Sequence, residues 1–413
     1  MNYKEAIAYI NSHDINKIDL GLDDIKKLLE SLGNPQTRFK SIHVAGTNGK
    51  GSVCAMLSSI LQKAGYKVGL YTSPHLIKFN ERIKINNLDI SDIKLARLTE
   101  KIKPNSEKIK GITYFELTTA LAFLYFAQQK VDYAVIEVGL GGRLDATNVL
   151  LPENCAATAI TNISLEHKDY LGDTIEKIAC EKAGIIKEHV PIITSASGEA
   201  LEVIKKIAGE KHARLIVAKP MEYECSLQGE FQKPNVGIAA EIAYLLNTDN
   251  NISEDIIREA FKEVTWPARL EFLKHNLLID CAHNPGAALV LAKEIEKAKE
   301  DTKNHYERAR RIPYFRKLIL VIGILKDKDY KQILKHLAPL AAKIIICKPR
   351  TERALDPEIL AAEIQKEHAK DYVIIKDVKE AVIYAQETAQ KNDLVLVTGS
   401  FYVVGEAYGL YKR

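Results

Sequence analysis

The chain has 413 residues, 46% of them hydrophobic and 27% charged, with a net charge of +4. That length allows two or three domains, each with its own core, and so small a charge gives no case for a nucleic acid or an anionic membrane as partner. The first residues, MNYKEAIAYINSHD, lack a signal-peptide core, no apolar run reaches transmembrane length, and the six cysteines (Cys54, Cys155, Cys180, Cys225, Cys281, Cys347) form no C-x-x-C pair, so a cytoplasmic protein with reduced thiols is expected.

Residues 22–32 have the pattern of an amphipathic helix stopped by Gly33, Asn34 and Pro35, preceded by a turn in which Asp19 or Asp23 would cap it. A short apolar strand (Ile42, Val44, Ala45) then runs into Gly46-Thr47-Asn48-Gly49-Lys50-Gly51-Ser52. Beyond the loop, Val53, Met56, Leu57, Ile60, Leu61 and Ala64 keep the spacing of one buried helix face. Strand, glycine loop with lysine, then helix is the layout of a phosphate cradle: glycines let N–H groups converge on an anion, the lysine adds a point charge, and the helix N-terminus adds its positive end. The spelling departs from G-x-x-x-x-G-K-[ST], because Gly51 separates Lys50 from Ser52. A plain turn would need neither the lysine nor three glycines. Residues 67–71 return as a strand and close a β-α-β unit, which brings Ser73, Pro74 and His75 to the C-terminal edge of the sheet, where open α/β sheets bind ligands.

A helix is predicted over 115–129, then a buried strand over 133–138 holding one acid, Glu137, before the loop GLGGRLDATN. Another strand, 156–161, leads to Asn162, Ser164 and the loop SLEHKDYLG, followed by a helix from Thr174 with Asp173 as N-cap and Gly184 as C′. Strands at 191–195 and 215–218 and helices at 235–246 and 253–264 complete the first part. The pattern restarts near Leu277, with strands at 277–280, 318–324, 343–347, 372–376 and 394–399 alternating with helical segments. Pro267 marks the junction, so an ATP-binding domain over 1–267 and a smaller α/β domain over 268–413 are expected. The charged stretch 301–317, with Arg308, Arg310, Arg311 and Arg316, reads as a solvated excursion.

A nucleoside triphosphate brings Mg²⁺, and Mg²⁺ takes hard oxygen ligands. Ser52 and Ser73 are candidate hydroxyl ligands and Glu137 the best carboxylate, unless it simply points to solvent at the strand end. His167, in a loop after a strand, has either metal or phosphate duty or a local hydrogen-bonding role. Lys182 falls on the apolar stripe of its helix, after Ile175, Ile178 and Ala179. Such a lysine either snorkels out, favoured by the helix dipole, or is desolvated, with a lowered pKa and a nucleophilic amine. Asp280 and His283, at the end of a strand in the second half, would close over a nucleotide or merely cap the turn; Gly399 and Ser400 at another strand end leave the same choice. The residues alone thus point to an ATP- and Mg²⁺-using α/β enzyme with a cleft between two domains, and do not identify what receives the phosphoryl group.

The segments LGLDDIKKLLESLGNP, HVAGTNGKGS, YTSPHLIKFNERI, ITYFE, IEVGLGGRLDATN, SLEHKDYLG, EKAGIIK, FQKPN, WPARLE, DCAHNP, GILKDKD and GSFYVVGE occur in the order found in folylpolyglutamate synthases that also act as dihydrofolate synthases, within the Mur ligase superfamily. The chain resembles the bifunctional bacterial members over nearly its whole length, and Gly51 is that family's own spelling of the loop. The resemblance implies a P-loop NTPase-like N-terminal domain and a Rossmann-like C-terminal one. It implies that Gly49, Lys50, Gly51, Ser52, Asn235, Arg269, Asp280 and His283 bind ATP. Ser52, Ser73, Glu137 and His167 would belong to one or two Mg²⁺ sites, and Lys182 would be a carbamate. Thr113, Tyr114, Phe115, Glu116, Leu144, Asp145 and Ala146 would bind the pterin substrate, and Lys50, Lys182 and His167 would be catalytic.

The activity implied is ATP-dependent ligation of L-glutamate to dihydropteroate, giving dihydrofolate, and to the γ-carboxyl of folates, giving polyglutamates. It would run through an acyl phosphate with release of ADP and phosphate, in a cytoplasmic monomer whose domains close about Pro267. Polyglutamylation alone, or a Mur-type ligation on a cell-wall precursor, are the alternatives; the latter would need a further N-terminal domain. Phe231, Ala268 and Cys281 depart from the family spelling, Ala268 where glycine is common, without touching a proposed ligand.

Overall fold

A computed structural model describes residues 1–13, 20–300, 312–368 and 371–411. Asp19 and the arginines Arg308, Arg310 and Arg311 lie outside the described residues. The chain divides into two compact units, one of residues 1–226 and 232–265, the other of residues 227–231 and 266–413.

In the first unit eight strands among the described residues form one sheet. They are β1 (Lys40–Ala45), β2 (Val68–Tyr71), β3 (Ile83–Ile85), β4 (Leu88–Asp89), β5 (Tyr133–Glu137), β6 (Cys155–Ile160), β7 (Ile192–Thr194) and β8 (Leu215–Val217), in the order β4-β3-β2-β5-β1-β6-β7-β8. β3 and β4 run antiparallel at one edge and the rest are parallel. The parallel strands are almost wholly apolar, as strands covered on both faces must be. Register sets Val44 of β1 against Glu137, Ala45 against Ile160, and Tyr71 against Ile136. The C-terminal ends of β2, β5, β1 and β6 therefore finish side by side, and the residues that follow them share one edge.

The helix Lys50–Lys63 is buried on every side from Gly51 to Leu61, not on one face as its apolar spacing predicts. The sheet covers one side and the helices Gln232–Leu246 and Glu254–Glu263 pack on the other. Its serines are accommodated because Ser59 donates to the Ala260 carbonyl at 3.1 Å and Ser58 accepts from Gln62 at 2.8 Å. On the sheet, Ala134 and Ile136 face a core built with the helix Tyr114–Gln129 and with Ile10, Ile25, Leu28 and Leu98; Ala45 and Ile160 belong to a second core with Ala179, Ala183 and Ile204.

The second unit has six strands among the described residues, β9 (Glu271–Lys274), β10 (Leu277–Ile279), β11 (Lys317–Ile322), β12 (Lys343–Ile346), β13 (Tyr372–Ile374) and β14 (Asp393–Thr398), in the order β13-β12-β11-β14-β10-β9. β9 is antiparallel to β10 and the rest are parallel. Phe231 packs against this unit's core.

Several local expectations need correction. Asp23 does not cap its helix: it is the first helical residue, and the N-cap is Leu22, whose side chain makes no capping bond. Thr174 rather than Asp173 caps Ile175–Ala183, accepting from the Lys177 N–H at 3.3 Å, while Asp173 pairs with the Lys177 amine at 2.8 Å. Gly184 ends that helix in right-handed geometry (φ −61°), not as a left-handed C′ residue. The β3–β4 hairpin went unread although Asn86 and Asn87, both at positive φ (48° and 61°), are a two-residue hairpin signal.

Ala268 is not neutral for the backbone: it is fully buried at φ +59°, a conformation that disfavours any Cβ. Ala268→Gly is expected to stabilise the protein by about 1 kcal/mol, read as a rise of a few degrees in melting temperature.

Candidate functional site

At the end of β1 the chain turns sharply. Gly46 has φ +144°, and a Cβ there would lie 1.7 Å from Thr161 Oγ1, so no larger residue fits. The residues after β6 buttress the loop: Thr161 Oγ1 donates to the Asn48 carbonyl (2.7 Å), Asn162 Oδ1 accepts the Asn48 N–H (2.9 Å), and the Asn162 carbonyl accepts the Thr47 N–H (2.8 Å). Gly49, at φ +91°, is the N-cap of Lys50–Lys63 and has no side chain with which to close that end. First-turn N–H groups and the positive end of a buried helix are thus presented together, the arrangement that binds anions. Asn235 lies against the loop, since a Cβ on Gly49 would meet its Oδ1 at 2.5 Å. Its Nδ2 donates to Gln232 (2.8 Å), whose own amide reaches Ser52 Oγ (3.4 Å).

Two lysines converge on one carbonyl of this loop. Lys50 Nζ donates to the Gly46 carbonyl at 3.0 Å and to that of Thr47 at 3.2 Å, and Lys182 Nζ donates to Gly46 at 2.9 Å. Lys182 does not snorkel: it is 5% exposed. Burial, and then the charge of Lys50, hold its amine down to about 7 from an ordinary 10.5, against the upward pull of Glu166 and Asp145.

Glu137, the last residue of β5, is buried and accepts the backbone N–H of Ser73 at 3.0 Å, so these two candidates meet and Glu137 does not point to solvent. Ser52 is buried in the first turn of the cradle helix. His167, at φ +51°, caps the short helix Lys168–Leu171, with Nε2 3.7 Å from Glu166 Oε1. Among the described residues no three His, Cys, Asp or Glu side chains gather into a metal cage. A buried hydroxyl (Ser52), a half-buried one (Ser73) and a buried carboxylate suit Mg²⁺, which retains waters and takes phosphate oxygens as ligands.

Thr113 and Glu116, expected at the pterin, bond to each other: Thr113 Oγ1 accepts the Glu116 N–H (3.2 Å), and Glu116 Oε2 accepts both the N–H and the hydroxyl of Thr113 (2.8 Å each). This capping box starts the helix Tyr114–Gln129 and sets the positions of Tyr114 and Phe115. Phe115 lies 6.1 Å from the Tyr71 ring and against Gly139, where a Cβ would meet it at 2.4 Å. Asp145 is buried between the half-buried Leu144 and the buried Ala146, and burial raises its carboxyl pKa despite donors from Thr147 and Leu140.

Sequence reasoning gave Arg82 no role and placed His75 at the ligand-binding edge of the sheet without a partner residue. Arg82 is 5% exposed, its guanidinium 6.0 Å from the Phe79 ring and 5.5 Å from Tyr114, and its Nε–H donates to His75 Nδ1 at 2.8 Å. Burial and the Arg82 charge hold His75 down to about 3, so the imidazole stays neutral and accepts. Among the described residues no carboxylate pairs with this buried cation. An arginine inside the segment YTSPHLIKFNERI, directly before the strand Ile83–Ile85, was the available signal.

In the second unit, Asp280 accepts the N–H of Leu270 (3.0 Å) and of Ala282 (2.8 Å), and burial raises its pKa although Arg269 pulls it down. The Arg269 guanidinium sits 5.4 Å over the Phe401 ring, and the His283 ring lies 5.2 Å from the same phenyl group. These three candidates are therefore neighbours, with Asp280 tying together the loops that carry the other two.

Residues 44–220 match the Mur ligase middle domain, and residues 268–401 match the Mur ligase glutamate ligase domain. The chain is 36% identical to the dihydrofolate synthase/folylpolyglutamate synthase of Bacillus subtilis (strain 168), over 98% of each chain. Among solved structures it resembles E. coli FolC in complex with DHPP and ADP (TM-score 0.87, 29% identity, 99% of this chain and 97% of that one). It equally resembles a bifunctional folylpolyglutamate synthase/dihydrofolate synthase with Mn, AMPPNP and L-glutamate bound (TM-score 0.85, 28% identity, 99% and 98%).

Proposed function

Because the chain belongs to the dihydrofolate synthase/folylpolyglutamate synthase family of the Mur ligases, we propose that it ligates L-glutamate to both dihydropteroate and the γ-carboxyl of folates at the expense of ATP. The observation that carries this reading is the pair Lys50 and Lys182 on the Gly46 carbonyl. A loop that only bound phosphate would need Lys50 and the helix N-terminus, and would have no use for a second, buried amine.

In the proposed reaction the acceptor carboxylate attacks the γ-phosphorus of ATP, the bond to ADP breaks, and an acyl phosphate forms. The α-amine of glutamate then attacks the acyl carbon, phosphate leaves, and the amine loses a proton. Little of this needs covalent help from the protein; alignment and charge stabilisation dominate. The first-turn N–H groups at Gly49–Ser52 hold the triphosphate, and Lys50 turns from the loop carbonyls to the phosphate oxygens. Ser52, Ser73, Glu137 and His167 are the proposed holders of Mg²⁺, in one or two sites; a bound cation neutralises charge on the phosphates.

Lys182 is proposed to carry a carbamate. Its amine is neutral often enough at pH 7 to take up CO₂, and the product, an anion beside Lys50, replaces a buried pair of like charges by one of opposite charges. Asn235 is the proposed nucleotide contact beside the cradle. For Arg269, Asp280 and His283 the motif resemblance is the support. The first unit is read as P-loop NTPase-like and the second as Rossmann-like, and the enzyme as a cytoplasmic monomer without a nucleic-acid partner; no helix among the described residues is long and apolar enough to cross a membrane.

Arg82 is assigned to an anionic group of the acceptor, which would complete a cation held, among the described residues, by two rings and a neutral imidazole. Arg82→Ala is expected to raise KM for the acceptor at least tenfold, with KM for ATP little changed, on the scale of one lost charge-assisted contact of about 1.5–3 kcal/mol. Steady-state kinetics with each substrate varied in turn checks it.

The test of the reaction is ADP release in the presence of Mg²⁺ and L-glutamate, with dihydropteroate or tetrahydrofolate as acceptor. Turnover with both is expected. Turnover with tetrahydrofolate alone would reduce the activity to polyglutamylation, and glutamate-independent hydrolysis alone would overturn the proposal.

A further inference from the structure

We propose that His43 is a positioning residue for the acceptor site: acting through Thr147, it fixes the carboxylate of Asp145 and so sets how tightly the acceptor's head group is held. This rests on reading residues 144–146 as part of the acceptor site.

His43 lies in the middle of β1, fully buried, between the apolar residues Ile42 and Val44. Packing alone would be served by a branched aliphatic residue, as elsewhere in these strands. Here an imidazole is kept although its Nδ1 is buried without a partner among the described residues, an arrangement that needs a reason. The other nitrogen supplies one. Nε2 lies 2.7 Å from Thr147 Oγ1. Thr147 in turn gives both its backbone N–H (3.0 Å) and its hydroxyl proton to Asp145 Oδ1.

A hydroxyl has one proton to give. With that proton directed to the carboxylate, Oγ1 accepts from His43, and the imidazole proton resides on Nε2. Burial and the nearby Lys187 charge keep the ring neutral, which suits a single donor. On its other oxygen Asp145 accepts the Leu140 N–H at 2.8 Å. These donors, with the Gly139 N–H beside them and the Thr147 hydroxyl oriented by His43, fix the plane of this carboxylate. A carboxylate held in one plane suits an N–H donor of a flat heterocycle.

The loop backbone has its own anchors, independent of this relay. Asn148 Nδ2 donates to the carbonyls of Arg143 (2.9 Å) and Gly184 (3.1 Å), and Lys187 donates to Asn148 Oδ1 at 2.6 Å. Arg143 pairs with Glu181 at 2.9 Å. Loss of the His43 donor therefore loosens the carboxylate without unmaking the loop.

The test compares His43→Leu, which fills the space without a donor, with His43→Gln, which restores an N–H at similar reach. His43→Leu is expected to raise KM for dihydropteroate and for tetrahydrofolate about tenfold, with kcat and the KM values for ATP and glutamate within about twofold; His43→Gln is expected to recover most of the loss. Should His43→Leu fail to fold, Thr147→Val breaks the same relay and is expected to show the same selective rise. Asp145→Asn separates the two readings. If it raises acceptor KM while neither relay variant does, His43 only packs and the proposal falls. If Asp145→Asn leaves acceptor KM unchanged, the acceptor assignment of the loop fails and takes this proposal with it. An equal rise in all three KM values would show a general structural defect and would also overturn it.

Discussion

Lys50→Ala is expected to lower kcat for glutamate-dependent ADP formation about 10³-fold, roughly 4 kcal/mol of barrier, while moving the melting temperature by only a few degrees. The asymmetry follows from where the amine is. Its partners are two loop carbonyls, Gly46 and Thr47, in a part-buried site. Gly46 keeps the Lys182 donor when Lys50 is removed. The fold therefore loses little, and the triphosphate loses the point charge positioned for it. The substitution should also act on its neighbour. The Lys50 charge is, after burial, the main influence lowering the Lys182 amine, so Lys182 should titrate higher in the variant. Steady-state kinetics and a thermal melt on the same preparation check both halves. Retention of more than about one tenth of kcat would mean that the helix N-terminus and Mg²⁺ carry the phosphoryl transfer without this lysine.

What could be read from the sequence was what depends on neighbouring residues. The strand, glycine loop and helix around Gly46–Ser52 are a local motif, and so is the stripe that made Lys182 conspicuous. Contacts between distant residues were not legible. That Lys182 reaches the Gly46 carbonyl, and that His43 reaches Thr147, depends on how separate strands and helices come together. Arg82 escaped for the same reason: its setting combines Phe79 from its own segment with Tyr114 from a helix further along the chain. Some signals were present but outweighed. Thr113-x-x-Glu116 has the spelling of a capping box, which is the arrangement the structure shows, and that spelling went unused beside the pterin role the resemblance implies. Asp173 and Thr174 are both good N-caps by type, and the choice fell to the residue whose backbone turns extended (φ −121°, ψ 157°) just before the helix. Glu137 was legible because an ionisable residue in a buried parallel strand needs a partner; that the partner is the Ser73 N–H needed the adjacent strand end.

Lys182→Ala is expected to reduce glutamate-dependent turnover by at least about 100-fold, the scale seen when a group supporting a metal or charge site is lost. Part of the activity should return on adding a short carboxylate such as acetate, which can occupy the vacated space with an anionic end. The wild-type enzyme should lose activity in CO₂-depleted buffer and regain it with bicarbonate. The titration supplies the reason. An ordinary lysine at pH 7 is neutral in well under about 0.1% of molecules, whereas an amine with a pKa of about 7 is neutral in about half of them. CO₂ adds only to that neutral form, making an N–C bond and releasing the amine proton. The same shift has a consequence for stability whose sign is the reverse of a salt-bridged lysine's. Between about 7 and 10.5 the unfolded chain holds a proton on this amine and the folded chain does not. Stability of the unmodified protein should therefore rise with pH across that window and be lowest below it. Lys182→Met, which fills the site without a charge, is expected to raise the melting temperature most below pH 7, with the gain fading toward pH 10.5. Melts of both proteins in CO₂-free buffer across that range decide it. A gain independent of pH would place a permanently neutral or permanently paired amine at this position, and with it would go the argument that Lys182 is poised to become a carbamate.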